Sequence, residues 1–485
     1  MKQLILLIFL IFFSIRCSGE NYKITEINQI VNKEWLSSIN DGDYNINDFW
    51  PAEEDSSLFV LLSEFRENNR DMKLLDIKAK ISSIYYDFNK ADFNPKISSS
   101  LNGGYAEQNL ETSFGSIADY IYNHDHDEES EDTGDNQDSS NYGVFGATNY
   151  SANLSALWEI DIWGKMKNAK NAMRFNMNSD LYDVKYAQIS LTAQFIKLYI
   201  SSIQANNQIK LINENLSNLK KIKEITDKRI LEGLSSTDEI YLASADYHLY
   251  QSSLIAKEIE LRSFKNNLEL MLGRYPGSLI SLSYKYPTQI YSVPPDLSSD
   301  LLLRRPDILS EKEKLKSSES MLIANNRALF PSFSMTVSSG QSSAELKELF
   351  DPDNSIWNIG LNVLQPIFQS GKIKKNIEKS KEELLAADIQ YVDIVVKAFY
   401  ETENYLDLDK NLQLAQEKIE ISRQDMQKAV DYAIRGYELG LVDLLYVLNL
   451  QQRLFDVKIQ LENIIAQRYL NRINLILALG GNFEY

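Results

Sequence analysis

The sequence contains an internal repeat, and this repeat limits the folds that the chain can adopt. Three landmarks recur at an offset of 207 residues: Gly164-Lys165 with Gly371-Lys372, Glu232-Gly233-Leu234 with Leu439-Gly440-Leu441, and Leu272-Gly273 with Leu479-Gly480. A single offset kept over more than a hundred residues means that no net insertion separates the landmarks. The chain therefore contains two copies of one structural unit.

The first copy carries an acidic insertion. Pro95 pairs with Pro331 at an offset of 236, so the first copy holds 29 additional residues before its Gly-Lys pair. Between His124 and Asp138 there are eight carboxylates and no Lys or Arg. Such a run cannot pack into a core, which predicts a solvated loop at about 124–140. Loose binding of a divalent ion by His124 and His126 remains an alternative.

Each copy contains two segments whose apolar residues alternate with polar ones. The segments are Lys96–Leu101, Asn153–Trp158, Ser332–Val337 and Ile359–Val363. A period of two with one apolar row is typical of β-strands. We therefore expect one hairpin in each copy, at about 95–163 and 331–369, and four strands in total.

After each Gly-Lys pair the apolar period changes to seven. The rows are Val184, Leu191, Leu198, Ala205, Ile212 and Leu219 in the first copy, and Tyr391, Ala398, Tyr405, Leu412, Ile419 and Met426 in the second. A sustained heptad row predicts a coiled-coil seam. We expect a helix of about 100 Å from Lys165, broken at Gly233, and its equivalent broken at Gly440. A shorter helix then returns, giving helices over 165–272 and 372–479.

The N-terminus is typical of an export signal. Lys2 precedes an apolar run from Leu4 to Phe13, which is too short to span a bilayer, so we expect a signal peptide over 1–16. Cys17 is the only cysteine of the chain and follows this run after Ser14, Ile15 and Arg16. Its position suits lipid attachment after cleavage, although Arg16 stands where such sites have a small residue. An ordinary signal peptide with an incidental cysteine is the alternative.

Insertion of strands into a membrane would require several copies of the chain. Lipid offers no hydrogen-bond partner to an unpaired backbone group, so strands can enter the membrane only as part of a closed barrel. Four strands cannot close one. Three copies supply twelve strands, which lies within the usual range of outer-membrane barrels, and imply cyclic symmetry.

Several classes of function have little support. A formal net charge of −18 argues against a nucleic-acid partner. The three histidines show no spacing of a zinc site, and we find no phosphate-binding glycine loop and no nucleophile paired with histidine. We therefore expect no cofactor, no resident metal and no enzymatic activity.

Further segments resemble the TolC/OprM-type outer-membrane factor family, in its NodT-like lipoprotein branch. They are Trp158–Lys165, Leu301–Ile308, Phe330–Phe333, Gln365–Lys372 and Leu479–Gly481. The Arg-Arg-Pro-Asp element at 304–307 and the Gln-Pro-Ile-Phe element at 365–368 are specific together and weak apart. The resemblance covers roughly residues 47 to 482.

The resemblance implies a mixed α+β membrane protein. Its homotrimer would form a twelve-stranded outer-membrane β-barrel, continued by a periplasmic α-helical barrel with an equatorial domain. It implies docking to a periplasmic adaptor and to an inner-membrane RND or ABC pump. The boundaries expected are a signal peptide at 1–16, a lipid-anchor and equatorial segment at 17–57, a first repeat at 58–279, a link at 280–306 and a second repeat at 307–485.

The resemblance also directs attention to the helix tips, where the family closes its periplasmic end. Many relatives have an aspartate where Asn449 stands, and some have another where Tyr446 stands. We expect Asp443, Tyr446 and Asn449 to form the constriction, with a phenol and an amide in place of an acidic ring. Simple packing of Tyr446 and Asn449 between helices is the alternative. Contacts with the adaptor are expected at Gly233, Leu234, Ser235, Gly440, Leu441 and Val442.

The interpretation favoured is a passive outer-membrane channel for small molecules such as drugs and toxic compounds. Metal-ion efflux and type I protein secretion are alternatives within the same fold. A periplasmic coiled-coil adaptor or structural lipoprotein that never spans the membrane is an alternative of another class. The repeated amphipathic hairpins argue against it, because an adaptor has no need of them.

Overall fold

The computed structural model describes residues 56–109, 144–286, 302 and 304–481. The expected signal peptide, Cys17, the acidic loop and most of the inter-repeat link lie outside the described residues. Among the described residues, no helix is both long enough and apolar enough to cross a membrane.

The described part of the chain contains seven α-helices and four strands in an order that repeats. The helices are α1 Ser56–Asn68, α2 Arg70–Ala91, α3 Lys165–Leu231, α4 Thr237–Met271, α5 Pro306–Arg327, α6 Lys372–Glu438 and α7 Leu444–Ala478. The strands are β1 Lys96–Asn109, β2 Val144–Ile160, β3 Ser332–Ser343 and β4 Ser355–Leu364. The long helices α3 and α6 have 67 residues each, and the returning helices α4 and α7 have 35 each.

The chain forms two compact units, and each unit takes segments from both repeats. Among the described residues, one unit comprises 56–82, 176–286, 302, 304–315 and 384–481, and the other comprises 83–109, 144–175 and 316–383. The repeats are therefore not separate domains, because each unit is assembled from equivalent parts of the two copies.

The four strands form a single antiparallel sheet in the order β1-β2-β3-β4. The two expected hairpins are joined because β2 also pairs with β3, with Trp158 opposite Met335 and Ala156 opposite Val337. Among the described strands, β1 and β4 each have one neighbour only. The sheet therefore has two open edges within one protomer.

The register separates the sheet into an apolar and a polar face. Side chains alternate along a strand and stand opposite each other between strands. One face collects Ile97, Leu101, Leu154, Trp158, Phe333, Met335, Val337, Ile359, Leu361 and Val363. The other collects Ser98, Ser100, Asn102, Ser151, Asn153, Ser155, Ser334, Thr336, Ser338, Asn358 and Asn362. No single strand determines this division, because it depends on the pairing of all four.

The heptad row of the second repeat lies on the buried face of α6. Tyr391, Ala398 and Leu412 of that row are buried, and Tyr405, Ile419 and Met426 are half-buried. A second buried row lies four residues further on, at Asp388, Val395, Thr402, Asp409, Val430 and Tyr437. The spacings of four and three residues between the two rows are those of a coiled-coil seam.

The seam of α3 differs from the expected one in its first half. Ala205, Ile212 and Leu219 are buried, whereas Val184, Leu191 and Leu198 are only half-buried. The buried positions there include Phe195 and Tyr199 as well as Ile189, Ala193, Ile196, Ile200 and Ile203. The cause is α1, since Phe65 stacks on Phe195 with ring centroids 4.8 Å apart and Tyr199 shares a hydrogen bond of 3.1 Å with Ser57.

All four glycine landmarks that end helices share one backbone geometry. Gly233, Gly273, Gly440 and Gly480 have φ between +70° and +76°. At each, two backbone N–H groups reach back to the last turn, as in Leu234 N to Arg229 O at 2.8 Å and Gly233 N to Ile230 O at 3.0 Å. This is the Schellman ending, which needs a left-handed residue, and it explains why the landmarks recur as glycine.

Candidate functional site

The candidate site comprises the two helix tips, residues 232–236 between α3 and α4 and residues 439–443 between α6 and α7. Leu234 and Leu441 stand at equivalent positions just after the two left-handed glycines, and 61% and 75% of their surfaces are exposed. Gly233 and Gly440 are also exposed, whereas Ser235 and Val442 are half-buried. Each tip thus presents an exposed leucine just after the glycine that fixes the turn, and the second tip has a further exposed leucine, Leu439, just before it.

Asp443 begins α7 and acts as its N-cap. Its Oδ1 accepts the backbone N–H of Tyr446 at 2.7 Å. A carboxylate in this position satisfies a free donor of the first helical turn and interacts favourably with the helix dipole. Asp443 was expected to belong to a constriction, and within the protomer its contact is with the helix backbone.

Tyr446 and Asn449 lie on one exposed face of α7, three residues apart. Leu444, Val447 and Leu448 on the opposite face are buried against Leu219, Ile222 and Ala433. The helix is held in the protomer by its buried face. The phenol of Tyr446 and the amide of Asn449 therefore face solvent or another partner.

A polar cluster around Tyr437 connects the two tips, and the sequence did not indicate it. Arg229 donates from Nη1 to the carbonyl oxygen of Tyr437 at 2.7 Å and from Nε to Ser235 Oγ at 3.0 Å. Its guanidinium lies 4.7 Å from the centroid of the Tyr437 ring. The Tyr437 hydroxyl donates to Glu239 Oε2 at 2.9 Å and lies 3.1 Å from Thr226 Oγ1.

The signal for this cluster in the sequence is weak. Tyr437 occupies a seam position of α6 three residues before Gly440, and Arg229 lies four residues before Gly233. A large polar side chain in a seam can belong to a core or to a hydrogen-bond network. Only the distances between helices distinguish the two.

Amide pairs hold α7 against α3 further along the helices. Gln451 donates to Asn215 Oδ1 at 3.0 Å, and Gln204 and Gln208 donate to Asn463 Oδ1 at 2.9 and 2.8 Å. Buried amides accept few alternative partners, so they fix the register between the two helices.

Nearby, burial raises the pKa of Tyr250, and Asp456 and Asp246 raise it further.

A second polar feature lies where the strands meet the long helices. Asp161 accepts the backbone N–H groups of Met166 and Lys167 at 3.1 and 2.7 Å and so caps α3. The Trp163 indole donates to the carbonyl oxygen of Pro331 at 2.8 Å and stacks on Phe330 at 5.2 Å. These contacts fix the direction in which α3 leaves the sheet.

A protein-family model described as outer membrane efflux protein matches residues 61–274 and 297–481. The chain belongs to this family. Each matched segment contains one copy of the repeat landmarks. The protein is thus an outer-membrane channel component of an efflux system, which excludes the non-spanning adaptor. Channels of this family form trimers and work with an adaptor and an inner-membrane pump.

Relatives and solved structures agree with this assignment. The probable outer membrane lipoprotein SilC of Salmonella typhimurium is 25% identical over 437 residues, covering 88% of this chain and 87% of that protein. The cation efflux system protein CusC of Escherichia coli K12 is 26% identical over 432 residues, covering 88% and 87%.

A crystal structure of CusC superposes with a TM-score of 0.81 at 23% identity, over 96% of this chain and 100% of that one. The likeness confirms the predicted fold class, a mixed α+β membrane protein with long helices and four strands per protomer.

Proposed function

We propose that this protein is the passive outer-membrane conduit of a tripartite efflux system and that it exports small molecules without catalysing a reaction. The conduit would be a homotrimer with a twelve-stranded barrel. A periplasmic adaptor and an RND or ABC pump would deliver the cargo and supply the energy.

The observation that carries this proposal is the division of the sheet into two faces. An apolar face suits lipid, and a face of hydroxyl and amide groups suits a water-filled lumen. The open edges of β1 and β4 require pairing, because an unpaired backbone edge in hydrocarbon is costly. Joining β4 of one copy to β1 of the next closes the ring after three copies.

The polar face also indicates which kinds of cargo could pass through the conduit. Serine, threonine and asparagine side chains predominate along it, and its charged residues Lys96 and Glu159 lie near the strand ends that adjoin the helices. Such a lining does not select by charge. We infer that the pump chooses the cargo and that the conduit passes small molecules of either sign.

Reconstitution in planar bilayers tests this proposal. The purified protein is expected to form trimeric pores whose reversal potential in a salt gradient shows weak ion selectivity. A deletion strain is expected to become sensitive to drugs and to recover with the intact gene. Strong charge selectivity, or purified protein that stays monomeric, would overturn the proposal.

At the periplasmic end, we propose that Tyr446 and Asn449 of three copies form an uncharged constriction and that Asp443 sets the start of the helix carrying them. The exposed residues of the two tips, above all Leu234 and Leu441, would contact the adaptor. Site-specific photocrosslinkers at 234 and 441 are expected to capture the adaptor, and crosslinkers at exposed positions on the sheet are not.

Metal-ion efflux is a second candidate, and the similarity to CusC, a cation efflux system protein, favours it. Among the described residues there is no group of His, Cys, Asp and Glu that could hold a metal ion. A conduit needs no such group, so growth of the deletion strain in graded concentrations of toxic metal-cation salts is the discriminating measurement. Type I protein secretion is tested by comparing the secreted proteins of the two strains.

We also propose that Cys17 carries the lipid anchor. The apolar run from Leu4 to Phe13, which ends four residues before Cys17, supports the assignment. Mass spectrometry of the mature N-terminal peptide is expected to show an acylated cysteine. Cys17→Ser is expected to leave the precursor unacylated.

A further inference from the structure

A cavity of about 230 Å³ lies where β2, β3 and β4 adjoin the helices. Its lining includes Ile160, Ile162, Trp163, Arg327 and Phe330. All of these residues belong to the same compact unit as the sheet. The cavity therefore combines aliphatic side chains, aromatic rings and a cation at one end of the sheet.

A row of aromatic rings leads from the apolar face of the sheet to Arg327. Phe333 lies on that face, and its ring centroid is 6.4 Å from that of Trp163. Trp163 stacks on Phe330 at 5.2 Å, and the Arg327 guanidinium lies 5.9 Å from the centroid of the Phe330 ring. The indole also donates to the carbonyl oxygen of Pro331 at 2.8 Å, which fixes the ring. The rings therefore place the guanidinium at the edge of the surface that suits lipid.

Arg327 is the cation of this cavity whose charge has no carboxylate beside it. Lys165 Nζ lies 3.4 Å from Glu159 Oε1, so these two lining residues pair with each other. Asp161 accepts the two backbone N–H groups that begin α3, where the helix dipole balances its charge. Arg327 is exposed, and no carboxylate of the described residues forms an ion pair with it. The cavity can therefore accept one further anion.

The positions that the repeat makes equivalent lack these residues. The offset of 236 relates Arg327 to Ala91, and the offset of 207 relates Trp163 to Ser370. A general girdle of interfacial aromatic residues would be expected at both corners of the sheet. The rings and the arginine occur together at only one corner of the described sheet, which indicates a discrete site, one in each protomer.

We propose that this cavity binds the headgroup of a glycerophospholipid from the periplasmic leaflet of the outer membrane. The guanidinium of Arg327 donates two parallel hydrogen bonds to the phosphodiester, a geometry that its planar fork matches. Trp163 and Phe330 contact the glycerol backbone, since aromatic rings favour the level of the headgroups. The acyl chains continue along the apolar face of the sheet. The inference rests on the proposed function, because it requires that face to lie in lipid.

Two simpler ligands or roles fit the same residues less well. A free phosphate ion would use the guanidinium but has no chains for the apolar surface that adjoins it. Arg327 is also the last residue of α5, where any cation interacts favourably with the helix dipole. That role needs only the charge, so lysine would serve as well as arginine and the rings would not matter.

Native mass spectrometry of the delipidated protein tests the site with dioleoylphosphatidylglycerol as the probe. The wild type is expected to bind one lipid per protomer. Arg327→Gln is expected to bind about tenfold more weakly, because it loses charge-assisted hydrogen bonds, and Arg327→Lys is expected to lie between the two. The matched control is Lys372→Gln, which removes an exposed cation at the start of α6 outside the cavity and is expected to bind as the wild type does. Equal binding by Arg327→Gln and the wild type would overturn the site.

Two further probes identify the source of the phosphate. Inorganic phosphate lacks the chains and dioleoylglycerol lacks the phosphate, so neither is expected to bind at the concentrations that saturate the phospholipid. Equal binding of inorganic phosphate would overturn the lipid assignment, and equal binding of dioleoylglycerol would overturn the role of Arg327. Circular dichroism checks that the variants remain helical.

The same spectra separate this inference from the proposed function. Trimers that conduct ions in bilayers but bind no phospholipid at this site would overturn the inference and leave the conduit standing. A monomeric wild type would overturn the conduit, and with it the inference that its sheet faces lipid.

Discussion

The returning helices α4 and α7 end in the same geometry but are held by different chemistry. In the first repeat, the neutral amide of Asn69 donates to the last turn of α4. In the second, the guanidinium of Arg305 donates to the last turn of α7 and also binds Asp307 at 2.8 Å and Glu401 at 3.1 Å. Arg305 is 2% exposed.

This difference shows which part of the repeat is constrained. A buried helix C-terminus has free carbonyl groups, and any donor at the right place satisfies one of them. A charged donor must also be neutralised. Burial acts to lower the pKa of Arg305, but Asp307 and Glu401 outweigh it and hold the pKa above its ordinary value. The backbone arrangement is shared, and the side chains that serve it have diverged.

The largest effect is expected from Arg305→Ala. This substitution leaves the carboxylate of Asp307, which is 12% exposed, without its cation. It also removes the donor that binds the carbonyl oxygen of Ala478. Because the remaining charge is largely buried, we expect the free energy of unfolding in detergent to fall by about 3 kcal/mol. Asn69→Ala removes only neutral hydrogen bonds and is expected to cost about 1 kcal/mol. Equal losses in chemical denaturation would show that the two ends are held with the same strength.

The glycines that end the helices give the next comparison. A Cβ at Gly273 would lie 2.8 Å from the backbone oxygen of Asn68, whereas a Cβ at Gly233 meets no atom within 4 Å. Both glycines have positive φ. An alanine at either position would therefore be strained by about 1–2 kcal/mol, because its Cβ disfavours the left-handed conformation. Gly273→Ala also adds a clash with backbone and is expected to lower the free energy of unfolding by at least 1 kcal/mol more than Gly233→Ala. Identical melting curves would contradict this.

Within the last turn of the returning helix, only the first repeat has a carboxylate, Glu269, and this residue predicts a pH dependence. Glu269 accepts the backbone N–H groups of Gly277, Ser278, Leu279 and Ile280 at 2.6 to 2.7 Å, whereas Ile476 stands at the equivalent position. Burial acts to raise the pKa of Glu269, but these four donors outweigh it and lower the pKa below its ordinary value.

The stabilisation from Glu269 is therefore complete above the ordinary pKa of about 4.3 and is lost as the pH falls through the lower folded value. We expect Glu269→Gln to lower the free energy of unfolding at pH 7 by about 1–2 kcal/mol and to lose less stability than wild type between pH 5 and 2. Denaturation curves across this range measure both effects. Parallel curves for the two proteins would contradict the assignment.

The smallest effect on stability is expected at the tips. Tyr446→Ala with Asn449→Ala removes exposed side chains, so stability stays within about 0.5 kcal/mol while single-channel conductance rises by about a factor of two. The equivalent residues of the first repeat are Glu239, which binds Tyr437, and Leu242. Leu242→Ala is the matched control, with little change expected. Unchanged conductance in the double variant would remove Tyr446 and Asn449 from the constriction.

Periodic features of the sequence predicted much of the fold. The offset of 207 fixed the equivalence of the long helices, and the glycine landmarks fell where the helices end, because few other residues adopt positive φ without strain. Strand alternation identified both hairpins. The pairing of β2 with β3 had no local signal, since these strands are separated by more than 170 residues and are brought together only by the packed chain.

The candidate site was predicted less completely. Exposure of Leu234 and Leu441 agrees with a turn after a helix-ending glycine, and the contacts expected of them remain predictions. The cluster of Arg229, Tyr437 and Glu239 was missed because its members come from different repeats. Hydrogen bonds between residues about 200 positions apart leave no spacing in the sequence.

The sequence by itself determined the duplication, the order of helices and strands, and the ends of the helices, because these depend on local backbone preferences and on short periods. Only the tertiary structure decided which faces are covered. It placed the buried face of α3 against α1, joined the two hairpins into one sheet, and left apolar side chains of α2 and α6, such as Ile81 and Tyr400, exposed. Burial depends on which elements meet in space, and equivalent residues in the two repeats meet different neighbours.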